Sequence, residues 1–213
     1  MSSQLYNVAF ITNGRSTWRY ALGSIERQTV PVCISFYKDI PWVEANNRAL
    51  SDCKGEIFFR VDDDMFLHPR AFEFMLSSYN GAISHTAKLY EHFSRRVAGK
   101  IRLYNKQKTV AIGGFRPNKL GKIDRTFEGD CERLKHGITT ADKHSPVGLH
   151  ACASWKEQVS YEGLWGYKKS NRDFMRGYKK SVEWQALNAV RLIERYNSKN
   201  KTAFWNFLND EKP

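Results

Sequence analysis

The sequence predicts an α/β fold with a mixed, mostly parallel central sheet flanked by helices, and three observations support this. Short apolar, β-prone runs alternate with amphipathic segments over the first 80 residues. Polar clusters follow the ends of three of these runs. A chain of 213 residues can also bury a sizeable core without disulfides or a structural metal. Strands that alternate with helices are typical of parallel sheets with right-handed crossovers.

The first 80 residues are predicted to carry three strands, each followed by a helix. The first strand ends at Asn13-Gly14, a strong turn signal, and the helices show apolar residues at three- and four-residue spacing. In chain order we expect a strand over 5–12, a helix from about Trp18, a strand over 32–37, a helix over 43–50, a strand over 56–61 and a helix that ends near Tyr79.

The pattern changes after Gly81, where no full helix separates the apolar runs. The predicted elements there are strands over 82–90, 96–104 and 109–112, a short helix over 128–136 and a longer helix over 182–196. No linker, repeat or low-complexity tract divides the chain, so one domain spanning 1–213 is expected, with a change of character near residue 80. Because the chain ends shortly after a helix, it fits a domain cut from a longer polypeptide.

The composition indicates a folded protein with a polyanionic or phosphorylated partner. Hydrophobic residues make up 41% and charged residues 26%, which excludes a disordered or collagen-like chain. The 34 Lys and Arg outnumber the 22 Asp and Glu, for a net charge of +12. The four cysteines lack zinc spacing and are expected to be reduced thiols. Neither a membrane span nor a secretory signal is apparent, so we expect a cytoplasmic protein.

Three adjacent carboxylates, Asp62, Asp63 and Asp64, directly follow an apolar strand. They repel one another, so this placement costs stability unless a cation gathers them. Carboxylate and phosphate oxygens are ligands that suit Mg²⁺ or Mn²⁺. A divalent ion with a phosphorylated ligand is one interpretation, and a solvated acidic turn with a helix N-cap before Pro69 is the other. Since ligands bind at the carboxyl ends of strands, Asn13 to Arg15 and Tyr37 to Asp39 are expected at the same edge.

Several stretches, in this order, resemble the GT-A glycosyltransferases, and especially their family-2-like inverting members. They are 44–50 (EANNRAL) and 55–64 (GEIFFRVDDD), the latter ending in a DxD motif. Gly113-Gly114 resembles the family's glycine pair near the donor sugar, and 128–134 (EGDCERL) resembles the acidic helix start that supplies the catalytic base. His150 resembles the late histidine that completes the metal site. The resemblance covers roughly residues 5–155.

This resemblance implies a GT-A fold, with a nucleotide-binding half over 1–80 and an acceptor-binding, metal-completing half over 81–213. It implies transfer of a hexose (glucose or a 6-deoxyhexose such as rhamnose) from a UDP-sugar to a glycan or glycoprotein hydroxyl, with inversion and with Mn²⁺ or Mg²⁺. The implied metal ligands are Asp64, Asp62 and His150. The implied donor-binding residues are Thr12, Asn13, Arg15, Asp39, Arg60, Asp62, Asp63 and Gly114.

Two departures from the family pattern leave assignments open. Tyr37-Lys38-Asp39-Ile40 replaces the usual Asp-Asp-Gly-Ser, so the carboxylate for the base moiety falls to Asp39. Glu-Gly-Asp replaces Glu-Asp, so Asp130 or Glu128 is the catalytic base; a position at a helix start favours Asp130.

Other residues keep two interpretations each. His144 competes with His150 as metal ligand. The segment 165–169 (WGYKK) is either a lid over the donor or a solvated loop. Arg172, Arg176, Lys179 and Lys180 form a charged helix face. A nucleotidyltransferase and a basic nucleic-acid-binding protein are the alternative functions, although no phosphate-binding glycine-lysine signature and no nucleic-acid-binding module is apparent; we expect no nucleic-acid partner.

Overall fold

The computed structural model describes residues 4–14, 18–92, 95–117, 123–151 and 172–210, with the backbone alone at 123–125 and 172–181. The strands are β1 (Tyr6–Thr12), β2 (Val32–Lys38), β3 (Ile57–Asp62), β4 (Met65–Leu67), β5 (Ser84–Glu91), β6 (Arg96–Asn105), β7 (Ile138–Thr140) and β8 (Pro146–His150). The helices are α1 (Trp18–Glu26), α2 (Trp42–Asp52), α3 (Ala71–Ser78), α4 (Lys106–Ala111), α5 (Ile123–Arg133), α6 (Arg172–Asn200) and α7 (Ala203–Asn209).

One mixed sheet joins all of these strands. Its order is β2-β1-β3-β6-β5-β8-β4, and β7 pairs with β5. Strand β1 runs parallel to β2 and β3, and β5 runs parallel to β7 and β8. The pairs β3–β6, β5–β6 and β4–β8 are antiparallel. The predicted α/β class with helices flanking a mixed sheet is therefore confirmed.

Both faces of the sheet are covered, as strands with near-continuous apolar runs require. On one face, Val8 and Phe59 belong to a core that α1, α3, α6 and α7 complete; the Phe59 and Phe72 rings stack 3.9 Å apart. On the other face, Ile11 and Phe58 belong to a second core with residues of α2 and α5. We call this second side the α5 face.

The predicted strand over 109–112 is wrong. Helix α4 occupies most of this segment, and the Asn105 side chain caps it by accepting a hydrogen bond from the Lys108 backbone N–H at 3.0 Å. A short apolar, β-branched run does not distinguish a strand from a helix, and here the cap decides.

The helix predicted over 128–136 begins earlier, at Ile123, and ends at Arg133. Glu128 therefore lies at the middle of α5 and Asp130 in its second half, and the placement of Asp130 at a helix start is wrong. The helix predicted over 182–196 lies within the longer α6.

Candidate active site

The turn after β1 is tied to the aspartate triplet by Asp63. The Thr12 hydroxyl donates a hydrogen bond to Asp63 Oδ2 at 2.7 Å, and the Asn13 backbone N–H donates to the same oxygen at 3.2 Å. The Gly14 N–H donates to Thr12 Oγ1 at 2.9 Å. Parallel pairing of β1 with β3 brings these residues together, and Asp63 is only 4% exposed. The Oδ2 atom of Asp63 therefore holds the turn after β1 by accepting both hydrogen bonds.

Arg60 and Asp62 lie two residues apart on β3 and face the same side. An Arg60 guanidinium N–H donates to Asp62 Oδ2 at 3.4 Å, and another donates to the Tyr104 hydroxyl at 3.3 Å. The guanidinium carbon also lies 4.8 Å from the centre of the Trp42 ring, a cation–π distance. Arg60 is thus a buried cation that partly offsets the repulsion among the three aspartates.

Asp64 meets His150 across the β4–β8 pair, where Met65 is paired with His150. The His150 Nε2 atom lies 3.6 Å from Asp64 Oδ2. On the other side of the ring, Nδ1 lies 3.1 Å from Glu91 Oε1. Burial lowers the pKa of His150, but its contacts with Asp64 and Glu91 outweigh burial and raise that pKa to about 10.

Glu91, which the sequence did not single out, is 3% exposed and forms an ion pair with Arg96 across the β5–β6 hairpin. Gly99 adopts φ +70°, and a β-carbon there would lie 3.6 Å from His150 Cγ. The His150 imidazole is therefore held between the buried carboxylate of Glu91 and the backbone at Gly99, and these contacts fix the position of the ring.

Asp64 and His150 could supply part of the ligand set of a divalent cation. Within the described ranges, no group of three or more His, Cys, Asp or Glu side chains is arranged to hold a metal ion. Asp64 and His150 supply one carboxylate and one imidazole side by side, whereas Asp62 directs Oδ2 to Arg60. Cations of this kind commonly take one or two protein ligands and complete their coordination with phosphate and water oxygens.

The other proposed histidine ligand, His144, lies in the turn before β8, where its backbone N–H donates to Asp142 at 3.0 Å. The structure thus places His150, rather than His144, beside Asp64.

The glycine pair is locked to α2 by Asn47. The Asn47 side chain donates to the Phe115 carbonyl and accepts from the Phe115 N–H, both at 2.9 Å. Gly114 has φ +73°, and a β-carbon there would lie 2.8 Å from Asn47 Oδ1. Two stretches that resemble the family, EANNRAL and the glycine pair, are therefore one interlocked unit.

Asp39 lies at the same edge as the β1 turn. Its N–H donates to the Thr12 carbonyl at 3.0 Å, and its exposed side chain lies 3.9 Å from Lys38 Nζ. Asp39 adopts φ 56°, the left-handed region. Arg15 and the segment 165–169 lie outside the described residues, as do the side chains of Arg172, Arg176, Lys179 and Lys180.

Asp130 is held by two arginines. Arg116 contacts Asp130 Oδ2 at 2.6 Å, and Arg133 contacts Oδ1 at 3.3 Å. The hydrogen bond from Arg116 lowers the pKa of Asp130, and Arg133 adds to it, against the effect of burial. The side chain of Asp130 is 11% exposed.

Glu128 lies over a row of cations on the α5 face. Its Oε1 accepts hydrogen bonds from Arg102 at 3.0 Å and Lys100 at 3.3 Å. Burial raises the pKa of Glu128, but these two cations outweigh it and the net pKa is lowered. Its side chain is 38% exposed, and Arg102 is paired with Arg60 across β3 and β6. The geometry thus connects Glu128, more directly than Asp130, to the strand that carries Asp62.

Lys88 completes this cationic row, because it is paired with Lys100 across β5 and β6. Burial lowers the pKa of Lys88, and repulsion from Lys100 and Arg102 lowers it further. The sequence alone did not indicate this row, since only the pairing of β5 with β6 brings Lys88 beside Lys100 and Arg102.

Comparison with solved protein structures identifies the fold of this chain, whereas comparison of sequences finds no match. No family model matches the sequence, and no curated protein matches it either. Among solved structures, Staphylococcus aureus TarS has a TM-score of 0.51 and 16% identity, with 98% of this chain and 76% of that chain covered. The mannosyltransferase PcManGT of Pyrobaculum calidifontis, in complex with GDP-Man and Mn²⁺, has a TM-score of 0.52 and 11% identity, covering 92% and 75%.

A third similar structure is a variant of Drosophila β1,4-galactosyltransferase 7 in complex with manganese, UDP-Gal and xylobiose. It has a TM-score of 0.50 and 14% identity, with 79% of this chain and 77% of that chain covered. The chain therefore has the fold of GT-A glycosyltransferases. Among its described helices, none is long and apolar enough to cross a membrane.

Proposed function

We propose that this protein is a metal-dependent inverting glycosyltransferase that moves a hexose from a UDP-sugar to a glycan hydroxyl. The observation that carries the proposal is the Asp64–His150 pair, whose aspartate directly follows Asp62 and Asp63, in a fold shared with nucleotide-sugar enzymes. The neighbours' ligands support it, because PcManGT was solved with GDP-Man and Mn²⁺ and the galactosyltransferase with manganese and UDP-Gal.

In this proposal Asp64 and His150 hold Mn²⁺ or Mg²⁺, with Asp62 near them as a further carboxylate. The cation, when bound, supplies Lewis-acid stabilisation of the charge that develops on the leaving diphosphate. Glu91 holds His150 Nδ1, so that Nε2 is the atom turned to Asp64.

The donor nucleotide is assigned to the edge formed by the β1 turn and the end of β2. Thr12, Asn13, Arg15 and Asp39 would hold the nucleoside, and the backbone at Gly114 would approach the donor sugar. Asp63 holds the turn through Oδ2, which restricts any contact it makes with ribose or sugar to its remaining oxygen. Arg60 orients Asp62 and gives the cleft positive charge that complements a diphosphate.

The acceptor hydroxyl is deprotonated by a carboxylate of α5 in a single displacement that inverts the anomeric carbon. Glu128 and Asp130 are the two candidates. Arginine contacts lower both pKa values, so both carboxylates are ionised at neutral pH, as a base must be. We favour Glu128, because it is more exposed and faces the cationic row beside Arg60.

Two finer assignments rest on the sequence resemblance alone. The donor sugar is glucose or a 6-deoxyhexose such as rhamnose. The chain also resembles the N-terminal glycosyltransferase domain of a chlorovirus protein implicated in glycosylating the major capsid protein, which would place it in glycoprotein biosynthesis in a host cytoplasm.

Calorimetry with UDP, GDP and dTDP, each with Mn²⁺ and with EDTA, tests the proposal. We expect UDP to bind in Mn²⁺ and to lose measurable affinity in EDTA. Undiminished UDP affinity in EDTA would contradict the metal assignment, and preferential binding of GDP or dTDP would contradict the donor. Release of UDP from a UDP-sugar, with an inverted linkage shown by NMR, would establish the reaction.

A further inference from the structure

A groove with a cavity volume of about 590 Å³ lies between the β5–β6 hairpin and the last third of α6. Its basic and aromatic lining comes from Tyr90, His92, Arg95, Arg195, Tyr196 and Lys199. We call it the hairpin groove. The volume falls within the range of small-ligand sites, which is roughly 300–1,000 Å³. None of the assignments made above uses these residues.

The charged side chains that line the hairpin groove are all basic. Arg95, Arg195 and Lys199 approach it from two different elements, and no acidic side chain is among the lining residues that the structure describes. Arg195 and Lys199 are four residues apart on α6 and so lie on the same helix face. Burial lowers the pKa of His92, and repulsion from Arg95 and Arg195 lowers it further, so both cations act on the interior of the groove.

Aromatic rings form the floor of the hairpin groove and continue beyond it. The Tyr90 and Tyr196 rings lie 4.6 Å apart, and the His92 ring lies 6.2 Å from Tyr90. Trp184, which is 42% exposed, extends the row at 5.5 Å from His92. Flat ring faces beside cations suit a ligand that has both an apolar face and a negative charge.

Arg95 adopts φ 53°, a left-handed conformation that is unfavourable for a residue with a side chain. Glycine or asparagine would reduce this cost at such a turn position. The chain instead carries an arginine there, and this arginine lines the groove.

The hairpin groove lies directly behind the candidate metal ligand. Tyr90 faces the groove, and the next residue, Glu91, contacts His150. Adjacent residues of a strand point to opposite faces of a sheet, so the groove and the His150 side are separated by the thickness of one strand.

We propose that the hairpin groove is a second binding site, which takes the anionic group of a phosphorylated or uronic-acid saccharide. The cations pair with phosphate or carboxylate, and the sugar ring packs on Tyr90 and Tyr196. That the saccharide belongs to the acceptor of the transferase rests on the proposed function, whereas binding of an anionic saccharide at the groove does not.

Calorimetry on the whole chain tests this with four saccharides in two matched pairs. Glucose 6-phosphate is compared with glucose, and trigalacturonate with maltotriose. Inorganic phosphate and a single-stranded RNA hexamer serve as further probes. We expect at least one anionic saccharide to bind about tenfold or more tightly than its neutral counterpart, since one charge-assisted contact is worth roughly that factor.

The double variant Arg195→Gln/Lys199→Gln should lose about tenfold or more of this affinity. The matched control is Arg191→Gln/Lys135→Gln, which removes the same charge at exposed positions outside the groove and should bind the saccharide within about twofold of the unaltered protein. Both double variants should bind UDP with Mn²⁺ as the unaltered protein does.

Several results would overturn the site. These are no preference for either anionic saccharide, equal losses in the two double variants, phosphate alone binding as tightly as the saccharides, or the RNA hexamer binding more tightly than all of them. The last result would identify a nucleic-acid surface. If instead UDP fails to bind with Mn²⁺ while the groove variants behave as expected, the proposed transferase fails and the saccharide site stands.

Discussion

The two ends of the candidate active site are built in different ways. At one end, Thr12, Asn13 and the aspartate triplet are placed by the pairing of two neighbouring parallel strands. At the other, Glu128 and Asp130 are placed by a helix that packs over strands distant in sequence. The residues of the first end lie in short contiguous sequence motifs, whereas those of the second are positioned by contacts between segments distant in sequence. We therefore expect mutations at the two ends to have different effects.

Asp64→Asn should have the largest effect on ligand binding, because it removes the carboxylate that lies 3.6 Å from His150 Nε2 in the proposed metal site. We expect Mn²⁺-dependent UDP affinity to fall more than about 100-fold, since even partners of metal ligands are worth 10–100-fold. Calorimetry measures the loss, and an unchanged circular dichroism spectrum shows that the fold is retained. Full Mn²⁺-dependent binding by this variant would remove Asp64 from the metal site.

Glu128→Gln and Asp130→Asn separate the two α5 carboxylates. The base should lose roughly 10²–10⁴-fold in kcat, with donor affinity little changed. We expect Glu128→Gln to be the more damaging substitution in steady-state assays with saturating donor. If Asp130→Asn is worse instead, the base is Asp130 and the more exposed carboxylate serves the cationic row.

Glu91→Gln tests whether a buried carboxylate orients His150. Mn²⁺ affinity in the presence of UDP, read by electron paramagnetic resonance, should fall about 10–100-fold. The NMR signals of the His150 ring should also show a change of tautomer. Arg96→Gln is the control, because it keeps the carboxylate and should weaken Mn²⁺ less. Unaltered Mn²⁺ affinity in Glu91→Gln would reduce this residue to a structural role.

Gly114→Ala and Gly113→Ala form a matched pair at the junction between the two ends. Both glycines have positive φ, but only a β-carbon at Gly114 meets other atoms within 4 Å, and the nearest of them is Asn47 Oδ1 at 2.8 Å. We expect Gly113→Ala to cost about 1–2 kcal/mol of unfolding free energy and Gly114→Ala about 1–3 kcal/mol more. Urea denaturation compares them, and equal losses would show that the Asn47 contact adjusts freely.

Thr12→Val should have a smaller effect than Gly114→Ala, a loss of about 1–3 kcal/mol in unfolding free energy. It removes the buried hydrogen bond from the Thr12 hydroxyl to Asp63. Thr12→Ser retains the hydroxyl and should recover most of the loss in thermal denaturation. If Thr12→Ser is destabilised and Thr12→Val is not, the methyl group of Thr12, rather than the hydroxyl, stabilises the turn.

The end of the candidate active site that contains Thr12, Asn13 and the three aspartates could be predicted largely from the sequence. Asp62 to Asp64 follow an apolar strand and Asn13-Gly14 follows another, so parallel pairing alone brings them to one edge. His150 required the resemblance to a family, since nothing local distinguishes it from His144. The structure adds the reason, because His150 is paired with the residue after Asp64.

The positions of Glu91 and of the two α5 carboxylates could not be predicted in the same way. Glu91 meets His150 across β5 and β8, and Glu128 meets Arg102 over the sheet, so neither contact leaves a periodic or local signal. The sequence predicts the start of α5 at residue 128, five residues after its observed start at Ile123, because no clear cap marks that start. Long-range packing decides these positions, and propensity does not report it.

Strand β5 is flanked by irregularities on both sides at the same step, between Lys88 and Leu89. Gly99 is the additional residue on β6, and Val147 is the additional residue on β8. Two such bulges at one level bend the sheet and increase its twist, so they form a crease across three strands. Tyr90, Glu91 and His150 all lie beyond that crease, so the hairpin groove and the His150 imidazole lie on opposite faces of the same short segment of the sheet.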